Sequence, residues 1–208
     1  MALTVTWIGH ASFVLNGNIT VYIDPWKIEG EPHDGDVVLV SHSHYDHYSP
    51  EDVAAVSKDG TLFLASKDVV DEAGYGEVLM PGESRTLVEC GVKTVHSYNP
   101  DKPYHPKEEN WLGFIIELDG KRIYYAGDTD VIDEMEQIGE VDLALLPVGG
   151  TYTMNAAEAA EAVKRFAPKQ IVPYHWGDIV GSRKDAEKLV KQFPNQAVVV
   201  RPGDSIEL

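Results

Sequence analysis

The apolar run Val37-Val38-Leu39-Val40 passes without a spacer into Ser41-His42-Ser43-His44-Tyr45-Asp46-His47, and a helix start, Ser49-Pro50-Glu51-Asp52, follows almost at once. A continuous apolar tetrad reads as a strand buried on both faces, which needs layers of structure above and below its sheet. Ser49 suits an N-cap, Pro50 is tolerated at the first helical position, and two acidic residues favour the positive end of the helix dipole. The chain therefore presents four ligand-type side chains in a short loop at a strand end. Such loops are where a rigid scaffold displays functional groups.

The remaining pattern is β-rich with helices in both halves. Strands are expected at Leu3 to Ile8, Ser12 to Leu15 and Ile19 to Ile23, the last two joined by a tight turn at Asn16-Gly17-Asn18. Further strands are expected at Leu62 to Ala65, Arg85 to Val88, Val92 to Val95, Leu143 to Leu146, Gln170 to Val172, Ala197 to Val199 and Ser205 to Leu208. Leu112 to Leu118 and Arg122 to Tyr125 read as a hairpin across Asp119-Gly120, after a proline- and charge-rich loop from Asn99 to Asn110. Asn155-x-x-Glu158 resembles a capping box and opens a helix running to Ala167; Arg183 to Phe193 reads as another helix. No linker, repeat or low-complexity tract stands out, so residues 1–208 are expected to form one domain with sheet inside and helices outside.

Composition narrows the function classes. With 43% hydrophobic residues the chain can bury a full core, and its formal net charge is -17. Binding nucleic acid relies on basic side chains that displace counterions, so neither DNA nor RNA is an expected partner, and anionic membranes are disfavoured for the same reason. The single cysteine, Cys90, rules out an intrachain disulfide and suits a reducing compartment. No basic segment followed by an apolar stretch opens the chain, and no apolar run approaches the roughly 20 residues of a membrane span. A cytoplasmic location is expected.

Three of the eight histidines lie at 42, 44 and 47, with Asp46 among them. In an extended segment His42 and His44 point the same way, and the turn before Ser49 can re-aim Asp46 and His47. Imidazole nitrogens and carboxylate oxygens suit zinc and related divalent ions. Three more ligand-type residues stand just past predicted strands: Asp24, Asp128 in Ala126-Gly127-Asp128-Thr129, and His175 in Pro173-Tyr174-His175-Trp176. Taken alone, Asp24 and Asp128 could be turn residues and His175 a satisfied core histidine.

His42-x-His44-x-Asp46-His47, Gly127-Asp128-Thr129 and a late His175 together resemble the metallo-β-lactamase superfamily. The similarity is greatest to small single-domain members related to ascorbate 6-phosphate lactonase, which also tend to carry a Gly-His-Ala/Ser segment like Gly9-His10-Ala11, an Ile-Asp-Pro like Ile23-Asp24-Pro25, and Tyr-x-Ala-Gly-Asp-Thr. The resemblance implies an α+β fold, an αββα four-layer sandwich of two mixed β-sheets flanked by helices. It also implies two divalent metal ions, with zinc the first expectation and Mn, Fe or Ni the alternatives. His42, His44 and a further histidine would hold the first metal, Asp46, His47 and His175 the second, and Asp128 would bridge them. Asp24 would accept a hydrogen bond from a ligand histidine and fix its tautomer. Relatives often place the further histidine in Pro-Ala-x-His. Here Val95-His96-Ser97 supports His96, whereas Tyr104-His105-Pro106-Lys107 supports His105, which is favoured because a loop residue reaches over a strand edge more easily. His10 would line the pocket.

The expected function is a metal-dependent hydrolase that uses a dinuclear metal-bound hydroxide to cleave a small ester, lactone or phosphoester. Metal binding lowers the pKa of water toward about 7, and Asp46 would orient the hydroxide and take up its proton. No Gly-x-Ser-x-Gly segment offers a serine nucleophile. Lys107 and Arg183 are candidates to hold an anionic substrate, and Tyr152 to donate a hydrogen bond; each reads as readily as an ordinary surface or packing residue. The alternatives are a non-catalytic metal-binding protein and a di-iron redox protein of the same fold, although redox relatives usually carry Glu where His44 stands and add a flavin domain. A small-molecule partner is expected, and a homo-oligomer is compatible with the sequence.

Overall fold

Alternation of side chains along the first strands sorts them into two cores. In the computed structural model, which describes residues 2–208 and so leaves Met1 of the expected domain outside, β1 (Thr4–Gly9), β2 (Ser12–Asn16), β3 (Thr20–Ile23) and β4 (Gly35–Val40) lie side by side. Phe13, Leu15, Val21, Ile23, Val37 and Leu39 join one apolar cluster. Their neighbours Val14, Tyr22, Val38 and Val40 join another on the opposite face. This is the period-two pattern of strands buried on both sides.

The second cluster lies under two helices. α1 (Pro50–Val56) contributes Val53 and Val56, and its start is as read: the Ser49 side chain accepts a hydrogen bond from the Asp52 amide. β5 (Ser57–Ala65) follows directly, then α2 (Lys67–Ala73), which contributes Val69. α2 is absent from the sequence reading. It has seven residues and one fully buried side chain, too little to leave an amphipathic stripe, and its signals are only Ser66 before it and left-handed Gly74 (φ 75°) after it.

The first sheet has the order β13-β1-β2-β3-β4-β5-β6, with β6 at Glu77–Val78 and β13 at Ser205–Glu207. The second has the order β12-β11-β10-β9-β8-β7, built from β7 (Ser84–Thr86), β8 (Cys90–His96), β9 (Leu112–Leu118), β10 (Lys121–Tyr125), β11 (Val141–Pro147) and β12 (Pro168–Tyr174). Both sheets are mixed: β3, β4 and β5 run parallel, as do β10, β11 and β12, while β9–β10 is the expected antiparallel hairpin. The sheets pack face to face; the Phe13 ring lies 6.1 Å from that of Tyr125 and 5.5 Å from that of Tyr174. On the far side of the second sheet, α3 (Ala156–Val163) buries Ala159, Ala160 and Val163, and α4 (Arg183–Gln192) buries Ala186 and Leu189. The result is an αββα four-layer sandwich.

Several boundaries differ from the sequence reading, among them that of the strand expected at Arg85 to Val88, which is found at Ser84–Thr86. α3 stops at Val163 rather than Ala167, although Asn155 and Glu158 do form the capping box. β12 starts at Pro168, where an edge strand tolerates proline as its first residue. Ala197 to Val199 makes only an isolated bridge, Ala197 to Ile171. No helix among the described residues is long and apolar enough to cross a membrane.

Candidate metal centre

The carboxyl ends of β4, β10 and β12 deliver the chemistry. Beyond Val40 the chain turns: the amides of His47 and Tyr48 both donate to the His44 carbonyl at 2.9 Å. The Leu112 amide donates to the Ser41 carbonyl at 3.1 Å, tying this loop to the second sheet. Gly127 (φ 68°) makes the turn that aims Asp128; a Cβ there would sit 2.5 Å from the Leu112 carbonyl oxygen. His175 directly follows β12 in the left-handed region (φ 60°), with its amide bonded to the His10 carbonyl at 3.0 Å. His10 (φ 46°) and Asp24 (φ 44°) share that conformation. It costs a non-glycine residue about 1–3 kcal/mol and clusters at functional sites.

Asp128 is the hub. Its Oδ1 lies 3.2 Å from His47 Nε2, and its Oδ2 lies 3.0 Å from His175 Nε2 and 3.3 Å from His105 Nε2. Asp46 Oδ2 stands 3.9 Å from His175 Nε2 and 4.0 Å from His47 Nε2. His42 Nε2 and His44 Nδ1 approach within 3.1 Å. Potential ligand atoms fall within 4.8 Å of one another in three overlapping groups: His42, His44 and His105; His42, His47 and Asp128; and His10, Asp46, His47 and His175.

These atoms fit divalent cations. His47 Nε2, His105 Nε2, His175 Nε2 and Asp128 Oδ1 are buried with no hydrogen-bond partner. A buried polar atom left unpaired costs about 1–3 kcal/mol, so four gathered around one carboxylate call for partners that the side chains do not supply to each other. The outer nitrogens of three of the histidines are already committed. His47 Nδ1 faces Asp24 Oδ2 at 2.7 Å, His105 Nδ1 faces Asn99 Oδ1 at 2.7 Å, and His42 Nδ1 faces Ser41 Oγ at 2.9 Å. Each pairing with an oxygen acceptor places a proton on Nδ1 and turns the Nε2 lone pair inward.

Asp24 anchors this arrangement. It is fully buried and accepts from the Ser41 amide (2.7 Å), Ser41 Oγ (2.6 Å), Tyr125 Oη (2.6 Å) and His47. His10 plays a matching part on the other side. Its Nε2 lies 2.9 Å from Asp46 Oδ2, and its ring packs 4.0 Å from that of His175.

Charges respond to this crowding. Burial alone would raise Asp46, but the His10 hydrogen bond and the charge of His47 hold it down at about 2. Burial would likewise raise Asp128, yet His175 and His47 hold it well below the usual carboxylate range. Burial lowers His42 well below 6.5, with His47 adding to the effect, and lowers His44, with His105 adding. His10 is lowered by burial in spite of Asp46. For His47 the attraction of Asp128 and Asp24 outweighs burial, so it stays protonated well above 6.5 in the absence of a metal.

Not every candidate reaches the centre. His96 stays in register in β8, half-buried near the Tyr98 ring, and joins none of the three ligand groups; a strand residue cannot reach over the sheet edge as the loop residue His105 does. Lys107 points away, 2.6 Å from Glu134 and over the Tyr98 ring, and Arg183 pairs with Glu187 at 2.9 Å on α4. Tyr152 does line the cleft beside the metal ligands, a space of about 250 Å³. Four contributors escaped the sequence reading: Asn99, Tyr125, Asp68 and Trp111. Asp68 accepts from the Ser43 amide (3.1 Å) and from Trp111 Nε1 (2.8 Å), and the Trp111 ring packs 4.8 Å from both His42 and His44. Only Tyr125 had a usable signal, its place two residues before Gly127-Asp128.

A two-sheet sandwich with histidines and aspartates gathered at its strand ends defines a metal-site protein of the metallo-β-lactamase fold. The chain belongs to the beta-lactamase superfamily, whose domain model matches residues 4–175. It is 33% identical, over 98% of its length and 99% of the relative's, to a protein of Korarchaeum cryptofilum named a UPF0173 metal-dependent hydrolase. A crystal structure from Parabacteroides distasonis, provisionally named a metal-dependent hydrolase, superposes with a TM-score of 0.84 at 32% identity, covering 97% of this chain and 94% of that one. A metallo hydrolase from Ignicoccus hospitalis shares the fold at 24% identity and a TM-score of 0.81, covering 100% and 99% of the two chains.

Proposed function

We propose that the protein is a hydrolase with two divalent metal ions, zinc foremost, that cleaves a small ester, lactone or phosphoester. His42, His44 and His105 would hold one ion, Asp46, His47 and His175 the other, and Asp128 would face both. The observation that carries this reading is the convergence of unpartnered Nε2 atoms of His47, His105 and His175 on the buried Asp128 carboxylate. When bound, such ions polarise the scissile carbonyl or phosphoryl oxygen and make a water acidic enough to attack near neutral pH.

The chain's own residues do the rest. Asp46 is ionised at neutral pH and lies at the cleft, so its carboxylate can orient the attacking water and accept its proton. His10 holds Asp46 in place, and Asp24 holds His47. The size of the cleft, about 250 Å³, and the net charge of -17 support a small-molecule substrate over nucleic acid.

The test is elemental analysis of the purified protein together with turnover of a panel of lactones, carboxylic esters, phosphomonoesters and phosphodiesters. Near two equivalents of metal and metal-dependent turnover lost in His42→Ala and Asp128→Ala are expected. No metal, with no activation by any added divalent ion, would overturn the reading.

A further inference from the structure

The wall of the cleft beyond the metal ligands is aromatic and carries no cation. Tyr104 and Tyr152 form one side, their rings edge to face at 4.8 Å. Ile179 and Tyr45 complete the rim, Tyr45 with two-thirds of its surface exposed. Four apolar or ring side chains turned to solvent at the mouth of a polar site form a surface for a flat apolar group.

Four cations near this wall are engaged elsewhere. Lys102 is held by Asp130 and by the Thr153 carbonyl, Lys107 by Glu134, Arg183 by Glu187 and Lys27 by Asp178. Among the described residues no lysine or arginine lines the cleft, whereas Asp46 and Asp128 both do. A phosphomonoester dianion is normally gripped by charge-assisted donors such as a bidentate arginine. Here the two proposed metal ions, already faced by Asp46 and Asp128, would be its only cationic partners, and tyrosine rings rather than charge-assisted donors line the rest of the cleft.

We infer that the substrate is an uncharged carboxylic ester or lactone with an aromatic or flat apolar group, seated against Tyr104 and Tyr152. The inference rests on the hydrolase reading above and narrows its substrate class. A cleft of about 250 Å³ has room for one ring and its ester, since drug-sized ligands need pockets of about 300–1,000 Å³. The reaction balances without a co-reactant: the acyl C–O bond breaks, the oxygen of water bonds the acyl carbon, and one proton passes to the leaving alkoxide.

Dihydrocoumarin, γ-butyrolactone and phenyl phosphate form the test set for the zinc-reconstituted protein. Dihydrocoumarin should be turned over with the highest kcat/KM. Tyr104→Ala and Tyr152→Ala should each raise its KM by about tenfold through lost ring contact, change KM for γ-butyrolactone little, and leave bound zinc unaltered. Binding of the unreactive amide 3-phenylpropanamide, followed by NMR shifts of the Tyr104 and Tyr152 rings, supplies a readout independent of turnover. Preference for phenyl phosphate, or a KM for dihydrocoumarin indifferent to both substitutions, overturns the substrate class and leaves the hydrolase intact. If nothing in the set is turned over, the amide decides: shifts at both rings support the aromatic site, and their absence removes it.

Discussion

His47 Nδ1 lies 2.7 Å from Asp24 Oδ2, and neither side chain has any surface exposed to solvent. The pair joins the loop after β4 to the loop after β3, and the same carboxylate oxygen accepts from Tyr125 of the second sheet. The orientation of one candidate ligand is thus set by both sheets. Asp24→Asn keeps the size of the side chain but removes the charge and presents a donor where acceptors are needed. Metal affinity should fall about 10–100-fold, the usual cost of losing such an outer partner. Competition with a chromophoric chelator measures it; an unchanged affinity would show that Asp24 serves only the fold.

His105 and His96 give a paired prediction. His105→Ala removes a buried nitrogen 3.3 Å from Asp128 Oδ2 and should lower metal content by about one equivalent per chain. His96→Ala changes a half-buried strand residue outside the cluster and should leave metal content as it was. Elemental analysis of the two variants would reassign the ligand if the order came out reversed.

The depressed Asp46 carboxyl fixes an acid limb in metal-free protein. Its folded pKa of about 2 lies below the ordinary 3.8, so its contribution is present above pH 3.8 and is lost as pH falls through 2. The shift corresponds to about 2 kcal/mol at 1.36 kcal/mol per pKa unit. The gap between urea titrations of wild type and Asp46→Asn should be clearly smaller at pH 2.5 than at pH 5. His10→Asn should raise the Asp46 pKa and shrink this limb, because it removes the bond at 2.9 Å. A constant gap between the curves would contradict the assignment.

His47 carries the opposite sign. Its folded pKa is raised, so its contribution is fully present below pH 6.5 and fades as pH rises through the folded value. A cation at Nε2 must displace that proton. Zinc loading at pH 7 should therefore release on the order of one proton per chain from His47, and affinity should climb with pH. Calorimetry in buffers of different ionisation enthalpy reads the release, and loading without it would mean that His47 is already neutral.

Gly127 and Gly203 separate backbone strain from packing. Both have positive φ, 68° and 88°, but a Cβ on Gly203 meets nothing within 4 Å, whereas one on Gly127 meets the Leu112 carbonyl at 2.5 Å and Ser97 Oγ at 2.7 Å. Gly203→Ala should lose about 1 kcal/mol by strain alone, and Gly127→Ala about 3 kcal/mol or more, with weaker metal binding as Asp128 shifts. Equal melting points for the two would show that the turn before Asp128 is not close-packed.

Short-range pattern carried much of this protein. Val37 to Val40, the Ser49 cap, the Asn155 capping box and the β9–β10 hairpin are visible because propensity and alternation act within a few residues. Ser41 to His47 and Gly127-Asp128 are visible because ligand-type residues crowd at strand ends. The folded chain alone decided which of these meet. His105 rather than His96 reaches Asp128, because a loop crosses the sheet edge and a strand cannot. His10 reaches Asp46 from a turn 36 residues away. Lys107 and Arg183, close in sequence to candidate ligands, turn to Glu134 and Glu187 instead. The aromatic wall joins Tyr104 to Tyr152 across two loops. Such contacts depend on how the sheets stack and where their edge loops cross, and that geometry is written in no single stretch of sequence.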